Sequence, residues 1–165
     1  MDTSSAGDSS LNRTVDGLAA ALEKLLGLAL IAAVAFNFVN VVGRYVFGTT
    51  FLSADEVQIY IMVYIAFLGA AVATWRRAHL RMDVLVQRLP TPVQRALAGA
   101  ELALILVLAG LVLYVSSQYV AQMAGIDARS QNAAIPMWIP HSAIVIGFGL
   151  IAALSLLQVV QLFRK

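Results

Sequence analysis

Charged residues are absent from positions 25–43, 57–75 and 102–126, and a fourth apolar run extends from His141 to Phe163. A helix rises about 1.5 Å per residue, so each run is long enough to cross a hydrocarbon core of roughly 30 Å. The pattern predicts four transmembrane helices over about 18–43, 55–75, 96–122 and 141–163. The second is the most sharply bounded, with Asp55 and Glu56 before it and Arg76, Arg77 and Arg81 after it. An excess of Lys and Arg marks the cytoplasmic side of a span. With the N-terminus inside, nine of the eleven basic residues fall in the cytoplasm, and only Arg44 and Arg129 lie outside. The expected architecture is therefore an all-α integral membrane fold with both termini inside.

The polar stretches between the runs carry their own signals. Residues 1–17 are rich in Ser, Asp and Gly, and most of them are expected to form a disordered cytoplasmic tail ahead of an 18–165 membrane domain. They lack the positive start of a signal peptide, so the first span is expected to be retained as an anchor. Ser53-x-x-Glu56 and Thr91-Pro-Val-Gln94 both read as capping boxes, in which two side chains satisfy backbone N–H groups of the first turn. Met82, Leu85, Val86 and Leu89 recur at i, i+3, i+4 and i+7. That spacing predicts an amphipathic helix over 77–89 lying in the membrane surface between the second and third spans. The link from Gln122 to Pro136 is polar, and Trp138 stands between Pro136 and Pro140 at an expected interface.

Composition narrows the class. Hydrophobic residues make up 61% of the 165 and charged residues only 12%, which belongs in lipid rather than in a soluble domain. The net charge of +2 follows membrane topology, and no basic groove with interleaved aromatics suggests nucleic acid. There is no cysteine, which excludes disulfides, thiolate nucleophiles and Cys-ligated clusters.

Few polar residues remain to carry chemistry. Asn37 and Asn40 lie three apart on one helical face and are expected to hydrogen-bond to a partner helix. Arg44 can snorkel to the headgroups or pair with Asp55 or Glu56 across the turn. His79 and Asp83 are four apart and can form a strut at headgroup level or a pH-sensitive pair. Glu101 sits near the inner boundary, where it serves as an anchor or packing residue more readily than as a proton carrier. Ala143/Gly147 and Gly149/Ala153 place small residues four apart, compatible with close helix packing. The two histidines, His79 and His141, fall at opposite surfaces, which argues against a bis-His haem. No catalytic set, metal site or cofactor site is expected. The remaining possibilities are a subunit that binds partners in the membrane and, as the alternative, a stand-alone homodimeric small exporter.

Arg44-Tyr-Val-Phe47, Ala54-Asp-Glu56, Phe67-Leu-Gly-Ala-Ala71 and His79-x-x-x-Asp83 before Leu89-Pro90, in this order across four spans, resemble the small membrane subunit of TRAP transporters, the DctQ-like family. The resemblance covers about residues 18–163. It implies a non-catalytic scaffold in the bacterial inner membrane, part of a tripartite, sodium-coupled uptake system for organic acids. The implied partners are a large membrane subunit, which carries the substrate and sodium sites, a periplasmic substrate-binding protein, and membrane lipid. On that analogy Arg44, Asp55 and Glu56 brace the outer ends of two helices, Gly69 permits close packing, and the segment from Arg76 to Arg88 anchors the scaffold.

Overall fold

The computed structural model describes residues 4–48, 52–76 and 89–164. Four helices account for most of them: α1 (Ser4–Val46), α2 (Leu52–Trp75), α3 (Thr91–Gly125) and α4 (Trp138–Arg164). All four are long and apolar enough to cross a membrane. The proposed surface helix over 77–89, with His79 and Asp83, lies outside the described residues apart from Leu89.

α1 packs on α2, α2 on α4, and α4 on α3. The last helix in sequence is thus inserted between the second and the third. Its buried stripe explains how: Ala143, Gly147, Ile151, Ser155 and Gln158 recur at intervals of three and four and are all buried. The core gathers Ala71 of α2, Ala109 of α3 and Ile151 of α4, with Ile105, Phe148, Ala152 and Leu154 around them. Small residues dominate because lipid is as apolar as leucine, so helices associate through close packing rather than through expulsion of water. Large apolar side chains point outward instead: Leu28, Ile31 and Phe38 on α1, and Leu104, Val107 and Leu111 on α3, are all exposed.

Gly147 marks the closest approach. A Cβ built there would stand 2.6 Å from the Cβ of Phe67 and 3.0 Å from its carbonyl oxygen, so only glycine lets α4 lie against the α2 backbone. The Phe67 and Phe148 rings lie beside this crossing, centroids 5.9 Å apart and tilted by 50°. Gly69, in contrast, packs closely on no other helix of this chain. Nothing lies within 4 Å of a Cβ placed there, because its face of α2 opens on a groove beside α1.

Three helix starts differ, in position or in capping, from what the sequence suggests. α1 begins at Ser4, inside the stretch read as a tail. Once a helix is nucleated by its apolar run, each further residue adds a hydrogen bond, and a polar sequence without Pro can continue it. At 43 residues α1 is about 65 Å long, twice the depth of the hydrocarbon core. α3 begins at Thr91, with Pro90 as its N-cap and no side-chain cap. Gln94 does not complete a capping box; its amide donates to the Leu89 carbonyl at 2.8 Å. The third difference, at Ser53 and Glu56, shapes the site described next.

Candidate functional site: polar clasps at the two ends of α2

α2 presents two faces, each tied to a different neighbour. On the first, Asp55 and Gln58 meet α1. Asn40 Nδ2 donates to Asp55 Oδ1 at 3.1 Å, Arg44 Nη2 pairs with Asp55 Oδ2 at 3.1 Å, and Asn37 Nδ2 donates to Gln58 Oε1. Positions 37, 40 and 44 share one side of α1, so a single face delivers all three donors. Of the two partners open to Arg44, the structure selects Asp55. Both carboxylate oxygens are engaged, one by a neutral amide and one by a guanidinium.

Ser53, Glu56, Tyr60 and Tyr64 follow i, i+3, i+7 and i+11 on the second face and meet the α3–α4 link. Glu56 Oε1 accepts from the Asn132 backbone N–H at 3.1 Å, and Oε2 from that of Ala133 at 2.9 Å. Ser53 Oγ donates to the Asn132 carbonyl at 3.1 Å. These side chains therefore clasp the link rather than forming the local capping box. The clasped turn is tight: Ala134 has φ 52°, a left-handed conformation that L residues rarely adopt. Ser130 N donates to the Ile135 carbonyl at 2.9 Å and Met137 N to that of Ala128 at 2.8 Å, closing the link into a short hairpin-like loop.

Deeper on the same face, Tyr64 OH donates to the Ile139 carbonyl at 2.8 Å and lies 2.7 Å from Ser142 Oγ. Tyr60 OH lies 3.6 Å from Met137 Sδ. His141 Nδ1 stands 2.6 Å from the Met137 carbonyl, and its ring packs against Tyr119 of α3 with centroids 4.8 Å apart and a tilt of 51°. The two tyrosines escape a reading that treats 57–75 as one apolar run. The signal that finds them is their register with Ser53 and Glu56.

The opposite end of α2 is tied as fully. Arg76 pairs with Glu23 of α1, and Trp75 Nε1 donates to Asp16 Oδ1 at 2.7 Å. Gln158 of α4, buried at 4% exposure, donates through Nε2 to the carbonyls of Thr74 at 3.0 Å and Trp75 at 3.3 Å. Those carbonyls belong to the last turn of α2, so a residue distant in sequence donates to the end of that helix. Glu101 is half-buried on α3. Among the described residues, no group of three or more His, Cys, Asp or Glu could hold a metal ion.

The geometry is that of a tied row of helices. The family described as "Tripartite ATP-independent periplasmic transporters, DctQ component" matches residues 33–165, from the middle of α1 onward. The chain belongs to this DctQ family. Among its relatives, the C4-dicarboxylate TRAP transporter small permease protein DctQ of Rhodobacter capsulatus is 28% identical over 103 residues, covering 62% of this chain and 45% of that protein. The ectoine TRAP transporter small permease protein TeaB of Halomonas elongata is 26% identical over 136 residues, covering 82% and 70%. The chain thus spans less than half the length of the first relative. DctQ membership and four helices of spanning length make it a multi-pass protein of the bacterial inner membrane.

Proposed function

We propose that the chain is the small, non-catalytic subunit of a tripartite, sodium-coupled, binding-protein-dependent secondary transporter that imports organic acids. It serves as a fixed scaffold for a large membrane subunit, which carries cargo and sodium, while a periplasmic binding protein delivers the cargo. One observation supports the scaffold role most strongly. Ser53, Asp55, Glu56, Gln58 and Tyr64 of α2, and Arg76 just after it, reach neighbouring helices or the α3–α4 link, where they hold helices together. A moving carrier needs polar groups at mid-membrane that can exchange partners with cargo; here the charged groups lie at the ends of α2, and Tyr64 near its middle is bonded to the Ile139 carbonyl and Ser142.

On this reading the end of α2 near Arg76 faces the cytoplasm and the Asp55 end faces the periplasm. The α3–α4 link, clasped by Glu56, is then on the side from which a binding protein arrives. Arg44, Asp55 and Glu56 brace that side, while His79, Asp83 and Glu101 anchor the scaffold near the inner headgroups. The names of the relatives mention a C4-dicarboxylate and ectoine, and a carboxylate is common to both, which supports organic acids as the cargo class.

Reconstitution tests the proposal. Proteoliposomes holding this chain and its large subunit should accumulate a labelled organic acid only with the binding protein and an inward sodium gradient. Vesicles holding this chain alone should accumulate and expel none. Cargo movement through the chain alone, in either direction, would overturn the scaffold role and favour a stand-alone exporter.

A further inference from the structure

Between α1 and α2, near the Arg76 end, lies an open groove of about 300 Å³. Gly27 and Gly69 form part of its lining, Leu30 and Ile65 stand towards its deep end, and Glu23 and Arg76 stand at its mouth. Neither glycine has anything within 4 Å of the position a Cβ would take, so the groove exists where both helices lack side chains. We propose that this groove binds one phospholipid of the phosphatidylethanolamine type, with an acyl chain along Gly27 and Gly69 and the headgroup on the Glu23–Arg76 pair.

Three features favour this occupant. The first is depth. From Arg76 to Ile65 the groove runs about 16 Å along α2 at 1.5 Å per residue, close to half of a hydrocarbon core of roughly 30 Å. That is the reach of one leaflet. Trp75, whose indole N–H is held by Asp16, marks the interface at the same end.

The second is charge. Glu23 and Arg76 form an ion pair whose side chains remain 55% and 47% exposed. A guanidinium has five donors and a carboxylate about four acceptor sites, so the pair retains capacity for further bonds. An adjacent cation and anion match a headgroup that carries a phosphate and a primary ammonium side by side.

The third is size. A helix about 10 Å across fills on the order of 1,000 Å³ over that length, so the groove suits a single extended chain rather than a partner helix.

The test uses the full chain in phosphatidylcholine nanodiscs doped with phosphatidylethanolamine that carries a photoreactive group on its acyl chain. Adducts should concentrate on residues 23–30 and 65–76. Gly69→Leu, whose Cβ would meet nothing within 4 Å and whose side chain would occupy the groove, should reduce them several-fold while the melting temperature stays at the wild-type value. Gly110→Leu, where a Cβ also meets nothing within 4 Å but outside the groove, should leave them unchanged. Glu23→Gln, which removes the carboxylate that takes the primary ammonium, should abolish the preference for the ethanolamine lipid over a choline lipid with the same reactive chain. Adducts spread evenly over the exposed faces of the helices, or equal labelling of Gly69→Leu and wild type, would overturn the proposal. Loss of the large subunit from Gly69→Leu with adducts unchanged would do so too. The experiment needs no transport, so its outcome is independent of the reconstitution above.

Discussion

Gly147→Leu should produce a severe folding defect, larger than that of Gln158→Leu. Its Cβ would stand 2.6 Å from that of Phe67, and the next-nearest atoms, at 3.0 and 3.1 Å, belong to the Phe67 backbone, which cannot rotate away. Relief requires α2 and α4 to separate, and that crossing also carries Ala71, Ile151 and the Phe67–Phe148 ring pair. Overpacking costs about 1–3 kcal/mol where side chains can adjust, and more where backbone must move. Gly147→Ala, which introduces the Cβ alone, should fall within that range. Thermal denaturation in detergent should rank the variants wild type, Gly147→Ala, Gly147→Leu, with Gly69→Leu indistinguishable from wild type. A Gly147→Leu protein as stable as wild type would show that α2 and α4 do not touch there.

Gln158→Leu should be damaging as well, to a lesser degree. The replacement keeps most of the volume but removes the donor that reaches the Thr74 and Trp75 carbonyls. Leaving a buried acceptor unsatisfied costs about 1–3 kcal/mol, and two share this donor. The loss should appear as lower stability together with faster amide exchange over residues 73–76, where α2 would fray. Unchanged exchange in that segment would show that the cap does not hold the helix end.

These two residues also show how far the sequence could be read. The four spans are legible because their length and lack of charge are set by the bilayer itself. The ties from Asn37, Asn40 and Arg44 are legible because amides spaced along one face of an apolar helix need partners, although spacing alone does not choose between Asp55 and Glu56. Gly69 and Gly147 look alike in sequence. Both sit in small-residue patterns within runs that are apolar all round, and periodicity does not distinguish the face that meets a helix from the face that meets a groove.

Ser53-x-x-Glu56 misleads for a different reason. A capping box is a local pattern, and here α2 begins at Leu52 while the backbone N–H groups of Asn132 and Ala133 compete for the same carboxylate. The competing donors are more than seventy residues away in sequence, so the local pattern carries no trace of them. Gln158 is hidden in the same way, since its role depends on α4 lying beside the end of α2.

The account rests on a scaffold that stays still while another chain moves cargo. With no native cysteine, spin labels can be placed on engineered cysteines at exposed positions of α1 and α3, the two edges of the row. Distances between them should be measured by pulsed electron resonance in the complete complex, without ligands and then with sodium and cargo. The account predicts one distance distribution that does not shift between these states. A shift on the scale of a helical turn, about 5 Å, on adding sodium and cargo would contradict it.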